Sequence, residues 1–163
     1  MNVVVYTDAS HCNKTKLAAC GFAVLVNGRL SKLTVVMMSD VHSSGHAEVY
    51  AAIYGLQYAF LLQEVKCITL NVDYESIIFK SRKLNRVPYS ELHATIQTIG
   101  DYSVILNLKK VKAHSDDRYN NLVDKHCNRV LGRMIDYVKK KATNSLIKQT
   151  GYIKLKKFDL DPR

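Results

Sequence analysis

The sequence predicts an α/β fold in which helices flank a mixed sheet of five strands. Three strand patterns come first with no helix between them, so we expect an antiparallel meander. The later strand patterns alternate with helical ones. Strands that are joined through a helix run parallel, with right-handed crossovers. The first, fourth and fifth strands are therefore predicted to be parallel.

The meander begins at the N-terminus. Residues 3–6 (Val-Val-Val-Tyr) are β-branched and aromatic, which is typical of a strand enclosed on both faces. Residues 18–26 and 29–38 give the second and third strands. Asn27-Gly28 between them is a strong signal for a two-residue hairpin turn.

Helices and two further strands follow the meander. Residues 47–62 predict a helix that is apolar nearly all round and therefore deeply buried. The next elements are a strand over 67–72, a helix over 74–80, a helix over 89–99 and a strand over 104–111. The last helix is marked by apolar residues at spacings of three and four, which are Val123, Cys127, Val130, Met134 and Val138.

The net charge of +10 favours a polyanionic partner such as nucleic acid. The charge is uneven, because residues 139–163 hold eight Lys or Arg against two Asp. We predict a catalytic domain over 1–138 and a basic extension over 139–163. The preferred interpretation of the extension is a solvated, partly ordered segment. Three alternatives stay open: an added strand, a nucleic-acid contact through stacking and phosphate neutralisation, or a partner-binding peptide.

The sequence shows no signal peptide and no apolar run that would cross a bilayer. Its four cysteines are scattered, which argues against a zinc ribbon and fits reduced thiols. We therefore expect a cytoplasmic protein without a membrane partner. We also expect a monomer.

Four acidic residues occupy comparable places in the predicted elements. Asp8 and Asp73 directly follow buried strands, and Glu48 and Asp124 lie near the starts of helices. The carboxyl ends of parallel strands meet the amino ends of the following helices at one edge of an open sheet. This topology allows all four carboxylates to converge.

Each acidic residue also has a structural interpretation when it is taken singly. Asp8 is typical of a residue that caps a turn, and Glu48 in a first helical turn interacts well with the helix dipole. Two carboxylates about 4 Å apart, however, repel by roughly 4 kcal/mol at an effective dielectric of 20. Hard divalent cations relieve this repulsion, and oxygen ligands favour Mg²⁺ or Mn²⁺ over zinc.

A pair of such ions clamps the attacking and leaving oxygens in phosphoryl transfer. His114 lies in a polar loop before Asp124. A histidine there suits proton transfer or ligand exchange at a metal site, and the alternative is an ordinary histidine of a surface loop.

Five segments carry these residues in a fixed order along the chain. They are Tyr6-Thr7-Asp8-Ala9-Ser10, Ser43-Ser44-Gly45-His46-Ala47-Glu48-Val49-Tyr50-Ala51-Ala52, Leu70-Asn71-Val72-Asp73-Tyr74-Glu75-Ser76, Val111-Lys112-Ala113-His114 and Asn120-Asn121-Leu122-Val123-Asp124. In this order, and in their strand and helix context, they resemble the type 1 ribonuclease H family over residues 1–138.

The resemblance implies a ribonuclease-H-like sheet in the order 3-2-1-4-5. It implies an endoribonuclease that hydrolyses the RNA strand of RNA/DNA hybrids and leaves 5′-phosphate and 3′-hydroxyl ends. Asp8, Glu48, Asp73 and Asp124 match the residues that bind two Mg²⁺ ions, for which Mn²⁺ is a substitute. His114 matches the mobile histidine that is implicated in proton transfer and product release.

The segments also depart from the family pattern. Ala9 stands where the family often has glycine, and Ser44-Gly45 replaces a polar pair that often precedes the helix glutamate. Our predictions for contacts with the hybrid are Ser10, Asn13 and Ser44. The chain between Asp73 and the last loop looks too short for the basic protrusion of the bacterial enzymes. Residues 80–86, with four positive charges, or the basic extension are the candidates to replace it.

Two other functions share parts of this pattern. A structure-specific DNA nuclease, such as a junction resolvase, uses the same kind of carboxylate cluster to bind metal ions on a related fold. A non-catalytic nucleic-acid binding module is the third hypothesis, but degenerate members usually lose a metal ligand and none is missing here.

Overall fold

The computed structural model describes residues 1–73, 77, 86–111 and 117–145. Several sequence predictions lie outside these residues, namely most of the helix over 74–80, the basic stretch except Arg86, His114, and the extension beyond 145. The strands are β1 (Asn2–Cys12), β2 (Leu17–Val26), β3 (Arg29–Met38), β4 (Cys67–Val72) and β5 (Ile105–Lys110). The helices described are α1 (Ser44–Phe60), α2 (Tyr89–Asp101) and α3 (Arg118–Ser145).

The five strands form one sheet in the order β3-β2-β1-β4-β5. β1, β2 and β3 are antiparallel neighbours, and β4 pairs in parallel with both β1 and β5. The predicted α/β fold, strand order and strand directions are all confirmed.

β1 differs from the prediction because it does not end at Asp8. Its parallel pairing with β4 stops at Tyr6 opposite Asn71, whereas its antiparallel pairing with β2 continues to Cys12 opposite Leu17. Asp8 therefore lies in a part of β1 that pairs with β2 but not with β4. The interpretation of Asp8 as the cap of a turn is wrong.

α1 begins three residues before the apolar run that predicted it. Ser43 has an extended backbone, and its hydroxyl accepts the main-chain N–H of His46 at 3.2 Å, which is the arrangement of a helix cap. Glu48 therefore lies in the second turn of α1. Because the effect of the helix dipole falls off within the first turn, the dipole does not account for Glu48.

Two glycines let the helices approach the sheet closely. A Cβ on Gly55 of α1 would lie 2.8 Å from a methyl of Val5, and one on Gly21 of β2 would lie 2.3 Å from the Cys127 sulfur of α3. α1 and α2 cover one face of the sheet with the larger hydrophobic core, and α3 packs on β1, β2 and β3 from the other face. The two helices that carry Glu48 and Asp124 are thus held against β1 and β2.

α3 is longer than the apolar stripe that predicted it. Asp117 accepts the main-chain N–H groups of Tyr119 and Asn120 at 3.0 and 3.1 Å, which satisfies the first turn. The helix continues to Ser145, past the predicted end of the catalytic domain at 138. Lysines 139–141 therefore belong to the same rigid element as Asp124.

The cysteines and helices bear on two further expectations. Cys12, Cys20, Cys67 and Cys127 are all free, as expected. Within the ranges described, none of the helices combines the length and the apolar character that a membrane span requires.

Candidate metal centre

Three of the predicted carboxylates meet at the edge of the sheet where the parallel strands end. Oxygen atoms of Asp8, Glu48 and Asp73 all lie within 4.8 Å of one another. Asp8 comes two residues after the last parallel pair of β1, and Asp73 directly follows β4. Glu48 reaches the same place from the second turn of α1. The predicted convergence is confirmed for these three residues.

A main-chain amide holds two of these carboxylates together. The N–H of Ala9 donates to Oδ1 of Asp8 at 2.7 Å and to Oε1 of Glu48 at 3.2 Å. The side chain of Asp8 is only 8% exposed, and those of Glu48 and Asp73 are partly buried. Negative charge is therefore concentrated where little water reaches it.

The electrostatic cost of this arrangement is visible in the pKa values. Burial, followed by repulsion from Asp73, raises the pKa of Asp8 to about 6. Burial and repulsion from Asp8 and Asp73 also raise the pKa of Glu48 well above its ordinary value. Carboxylates that resist ionisation side by side are stabilised by a hard cation, because its charge favours their ionised forms. The donor set consists of carboxylate oxygens, which fits Mg²⁺ or Mn²⁺.

Asp124 stands beside this cluster on α3. Its charge contributes to raising the pKa of Asp8, although it is not among the three residues whose oxygens lie within 4.8 Å of one another. α3 is joined to β1 at this point by the thiol of Cys127, which donates to the main-chain oxygen of Asp8 at 3.4 Å. Burial raises the pKa of that thiol well above its usual value, so it remains a donor.

The structure also adds a residue that the sequence analysis missed. Asn128, one helical turn after Asp124, donates from Nδ2 to Oδ1 of Asp124 at 2.7 Å. Its own Oδ1 accepts the hydroxyl of Ser10 at 2.6 Å. An exposed asparagine on a helix is common, so only its spacing of four from Asp124 signalled this contact.

The predicted contacts with nucleic acid have different surroundings. Ser10 is buried in β1, Asn13 lies exposed in the turn after β1 and accepts from the Lys16 amine, and Ser44 is the exposed first residue of α1. Their contacts with a hybrid stay predictions. The role of His114 also stays a prediction, since it lies outside the described residues.

This sheet and its carboxylates define a ribonuclease-H-like fold, and comparison with solved structures agrees. The chain is similar to the N-terminal RNase H domain of a Mycobacterium tuberculosis protein, solved as a fusion with maltose-binding protein, with a TM-score of 0.64 and 14% identity. It is similar to RNase H1 from Halobacterium salinarum, with a TM-score of 0.64 and 15% identity. A third similar structure is LC11-RNase H1 in complex with an RNA/DNA hybrid, with a TM-score of 0.60 and 17% identity.

These alignments cover most of both partners. They include 82%, 79% and 79% of this chain and 98%, 99% and 99% of the respective neighbours. No protein-family model matches the sequence, and no curated protein matches it. At such low identity the likeness establishes the fold, and the function has to be argued from the site.

Proposed function

We propose that the protein is an endoribonuclease that hydrolyses the RNA strand of RNA/DNA hybrids with two Mg²⁺ ions, leaving 5′-phosphate and 3′-hydroxyl ends. The observation that carries the proposal is the cluster of Asp8, Glu48 and Asp73, with oxygens within 4.8 Å, at the carboxyl edge of a ribonuclease-H-like sheet. A cluster with raised pKa values is the pattern expected of a metal-dependent catalytic site rather than of a structural one.

The chain's residues divide the work in this proposal. Asp8, Glu48, Asp73 and Asp124 hold the cations, which when bound activate the attacking water and stabilise the leaving oxygen. The Ala9 amide fixes Asp8 and Glu48 before any cation arrives, so less reorganisation is needed during the reaction. His114, which precedes the first residue of α3 by four positions in the sequence, is proposed to transfer a proton or assist product release.

The distribution of charge supports a nucleic-acid substrate. Between 118 and 142, α3 carries seven Lys or Arg against Asp124 and Asp136. Lys125, Arg129 and Arg133 are exposed on this helix. A positive surface on the element that also carries a metal ligand draws a polyanion toward the site.

An RNA/DNA hybrid is the preferred substrate within this class. LC11-RNase H1, a neighbour with the same fold, was solved in complex with such a hybrid. The similarity to two further RNase H structures over nearly their whole length supports the same reaction class.

The proposal is tested by cleavage of end-labelled substrates in Mg²⁺, comparing RNA/DNA hybrid, double-stranded RNA and a four-way DNA junction. We expect internal cuts in only the RNA of the hybrid. Asp8→Asn should lower the rate by at least about a hundredfold, as expected for loss of an electrostatic group from a catalytic site. Asp101→Asn is the matched control, because Asp101 is exposed at the end of α2, just before β5 begins at the opposite edge of the sheet.

The other outcomes would redirect the proposal. Cleavage of the junction with the hybrid intact would retain the metal centre but assign the protein to the resolvase class. Binding of hybrid without any metal-dependent cleavage would indicate a non-catalytic module. Equal rates for Asp8→Asn and the wild type would remove Asp8 from the site.

A further inference from the structure

A chain of two hydrogen bonds connects strand β1 to the fourth acidic residue. The hydroxyl of Ser10 donates to Oδ1 of Asn128 at 2.6 Å, and Nδ2 of Asn128 donates to Oδ1 of Asp124 at 2.7 Å. Both distances are short for their type. The side-chain amide of Asn128 thus accepts a hydrogen bond from Ser10 and donates another to Asp124.

The position of Asp124 gives this connection its importance. Oxygens of Asp8, Glu48 and Asp73 lie within 4.8 Å of one another, and the Ala9 amide holds the first two in place. Asp124 stands outside that group and approaches it from a helix on the opposite face of the sheet from α1. The hydrogen bond from Asn128 restrains the side-chain torsions of Asp124.

Ser10 gives the connection a rigid support. It lies two residues after Asp8 on β1, is 9% exposed, and pairs with Ala19 of β2. A hydroxyl on a paired strand moves little, whereas an exposed asparagine on a helix surface otherwise samples several rotamers. Ser10 therefore orders Asn128, and Asn128 in turn orders Asp124.

We infer that Asn128 is a positioning residue for the metal centre, and that Ser10 acts on this centre through Asn128. The inference rests on the proposed function only in taking Asp124 as a ligand of the cation. It gives Ser10 a role different from the direct contact with the hybrid that its place in the sequence predicts. Hydrogen bonds that orient ligating carboxylates typically change metal affinity about 10- to 100-fold when they are removed.

The test is a double-mutant cycle on Mn²⁺ affinity, measured by isothermal titration calorimetry without nucleic acid. The proteins are the wild type, Asn128→Ala, Ser10→Ala and the double variant. Asn107→Ala is the matched control, because Asn107 is also exposed and donates one side-chain hydrogen bond, to Cys67 on β4. Circular dichroism and melting in EDTA verify that each variant folds.

We expect Asn128→Ala to weaken Mn²⁺ binding about 10- to 100-fold, and Ser10→Ala to weaken it by a smaller factor. The double variant should match Asn128→Ala alone, because Ser10 has no path to Asp124 once the amide is gone. Asn107→Ala should bind Mn²⁺ as the wild type does. The inference would be overturned if Asn128→Ala bound Mn²⁺ within twofold of the wild-type affinity. It would also be overturned if the fold-changes in affinity of the two single variants multiplied in the double variant.

Two further measurements separate this inference from the proposed function. In cleavage assays, Asn128→Ala should require more Mg²⁺ for half-maximal rate, with kcat restored at saturating Mg²⁺ and an unchanged KM for hybrid. Ser10→Ala should bind hybrid in EDTA as tightly as the wild type, and weaker binding there with unaltered Mn²⁺ affinity would return Ser10 to the role of a hybrid contact. If the wild type binds Mn²⁺ but cleaves no hybrid, the proposed function is wrong, and the double-mutant cycle on Mn²⁺ affinity still tests the role of Asn128. A wild type that binds no Mn²⁺ would defeat both.

Discussion

Replacing Asp8 by asparagine should make the metal-free protein more stable while it abolishes activity. The pKa of Asp8 rises from 3.8 to about 6 on folding, chiefly through burial and through repulsion from Asp73. One pKa unit corresponds to about 1.4 kcal/mol. The ionised form of Asp8 therefore costs roughly 3 kcal/mol of folding free energy at pH 8. Asparagine removes the charge and keeps an oxygen that can accept the N–H of Ala9.

The sign of the pH dependence follows from the direction of the shift. Because the pKa of Asp8 is higher in the folded state, the folded protein binds more protons than the unfolded chain between about pH 4 and pH 6. The stability that this group contributes is fully present below its unfolded pKa and is lost as the pH rises through 6. Most of the difference between Asp8→Asn and the wild type should therefore vanish at pH 4.

The assay is thermal or urea unfolding in EDTA at pH 8 and at pH 4. For a chain of this size, about 3 kcal/mol corresponds to roughly 6–12 °C in Tm at pH 8. Asp101→Asn is the control and should have the same Tm as the wild type at both pH values. Added Mn²⁺ should stabilise the wild type by about 2.7 kcal/mol at a hundred times its Kd, and Asp8→Asn far less.

Two results would refute this reasoning. A variant that is less stable than the wild type at pH 8 in EDTA would show that Asp8 is a structural residue, and that its charge is compensated within the fold. A stabilisation of the same size at pH 4 and pH 8 would show that the gain does not come from removing a charge.

The remaining predictions concern the charged face of α3 and the packing of α1. Changing Arg129 and Arg133 together to glutamine should lower the slope of log K against log salt for hybrid binding by up to about 2, since each phosphate contact contributes about 0.9. Lys66→Gln, at the opposite edge of the sheet, is the control and should leave that slope unchanged. An equal decrease of the slope in both variants would show that only the net charge matters. Gly55→Ala should destabilise the protein by about 1–3 kcal/mol in urea unfolding, because the new Cβ would lie 2.8 Å from Val5. Gly132→Ala on α3 meets nothing within 4 Å and should stabilise by roughly 0.5–1 kcal/mol; equal effects of the two alanines would refute the close approach of α1 to β1.

The strands were predictable from the sequence because their signals are local. The bounds predicted for β3 and β4 match the structure, and those for β2 differ by one residue. The Asn27-Gly28 turn fixes where one strand ends and the next begins. Strand directions followed from the connections alone, since a helix between two strands favours parallel pairing.

The ends of the helices were predicted less well, because they depend on polar residues. The apolar pattern of α1 starts at Ala47, but Ser43 caps the helix and draws its start back to Ser44. The apolar stripe of α3 stops at Val138, and residues 139–142 are exposed. Lysines are good helix formers and extend it to Ser145.

The convergence of Asp8, Glu48 and Asp73 was predictable from the sequence, whereas the hydrogen bonds around these residues were not. The carboxylates converge because of the order and direction of the strands, and these can be predicted from the sequence. The bond between Ser10 and Asn128 joins residues that are far apart in the chain and depends on how α3 lies across β1. Such a contact leaves no periodic signal. The sequence predicts a contact of Ser10 with the hybrid, and only the structure shows that the hydroxyl of Ser10 is bonded to Asn128.

The carboxylate cluster lies where β1 is still paired with β2 but is no longer paired with β4. β1 pairs with β4 only as far as Tyr6 and with β2 as far as Cys12, so Asp8 and Ala9 have no neighbour on the β4 side. The N–H of Ala9 is thereby free to donate to carboxylates instead of to a strand. If β4 continued in register by two more residues, it would fill this space and direct Asp73 into the ladder. The early end of β4 therefore leaves the sheet edge open beside the three carboxylates, and the longer hairpin of β1 and β2 extends past this opening.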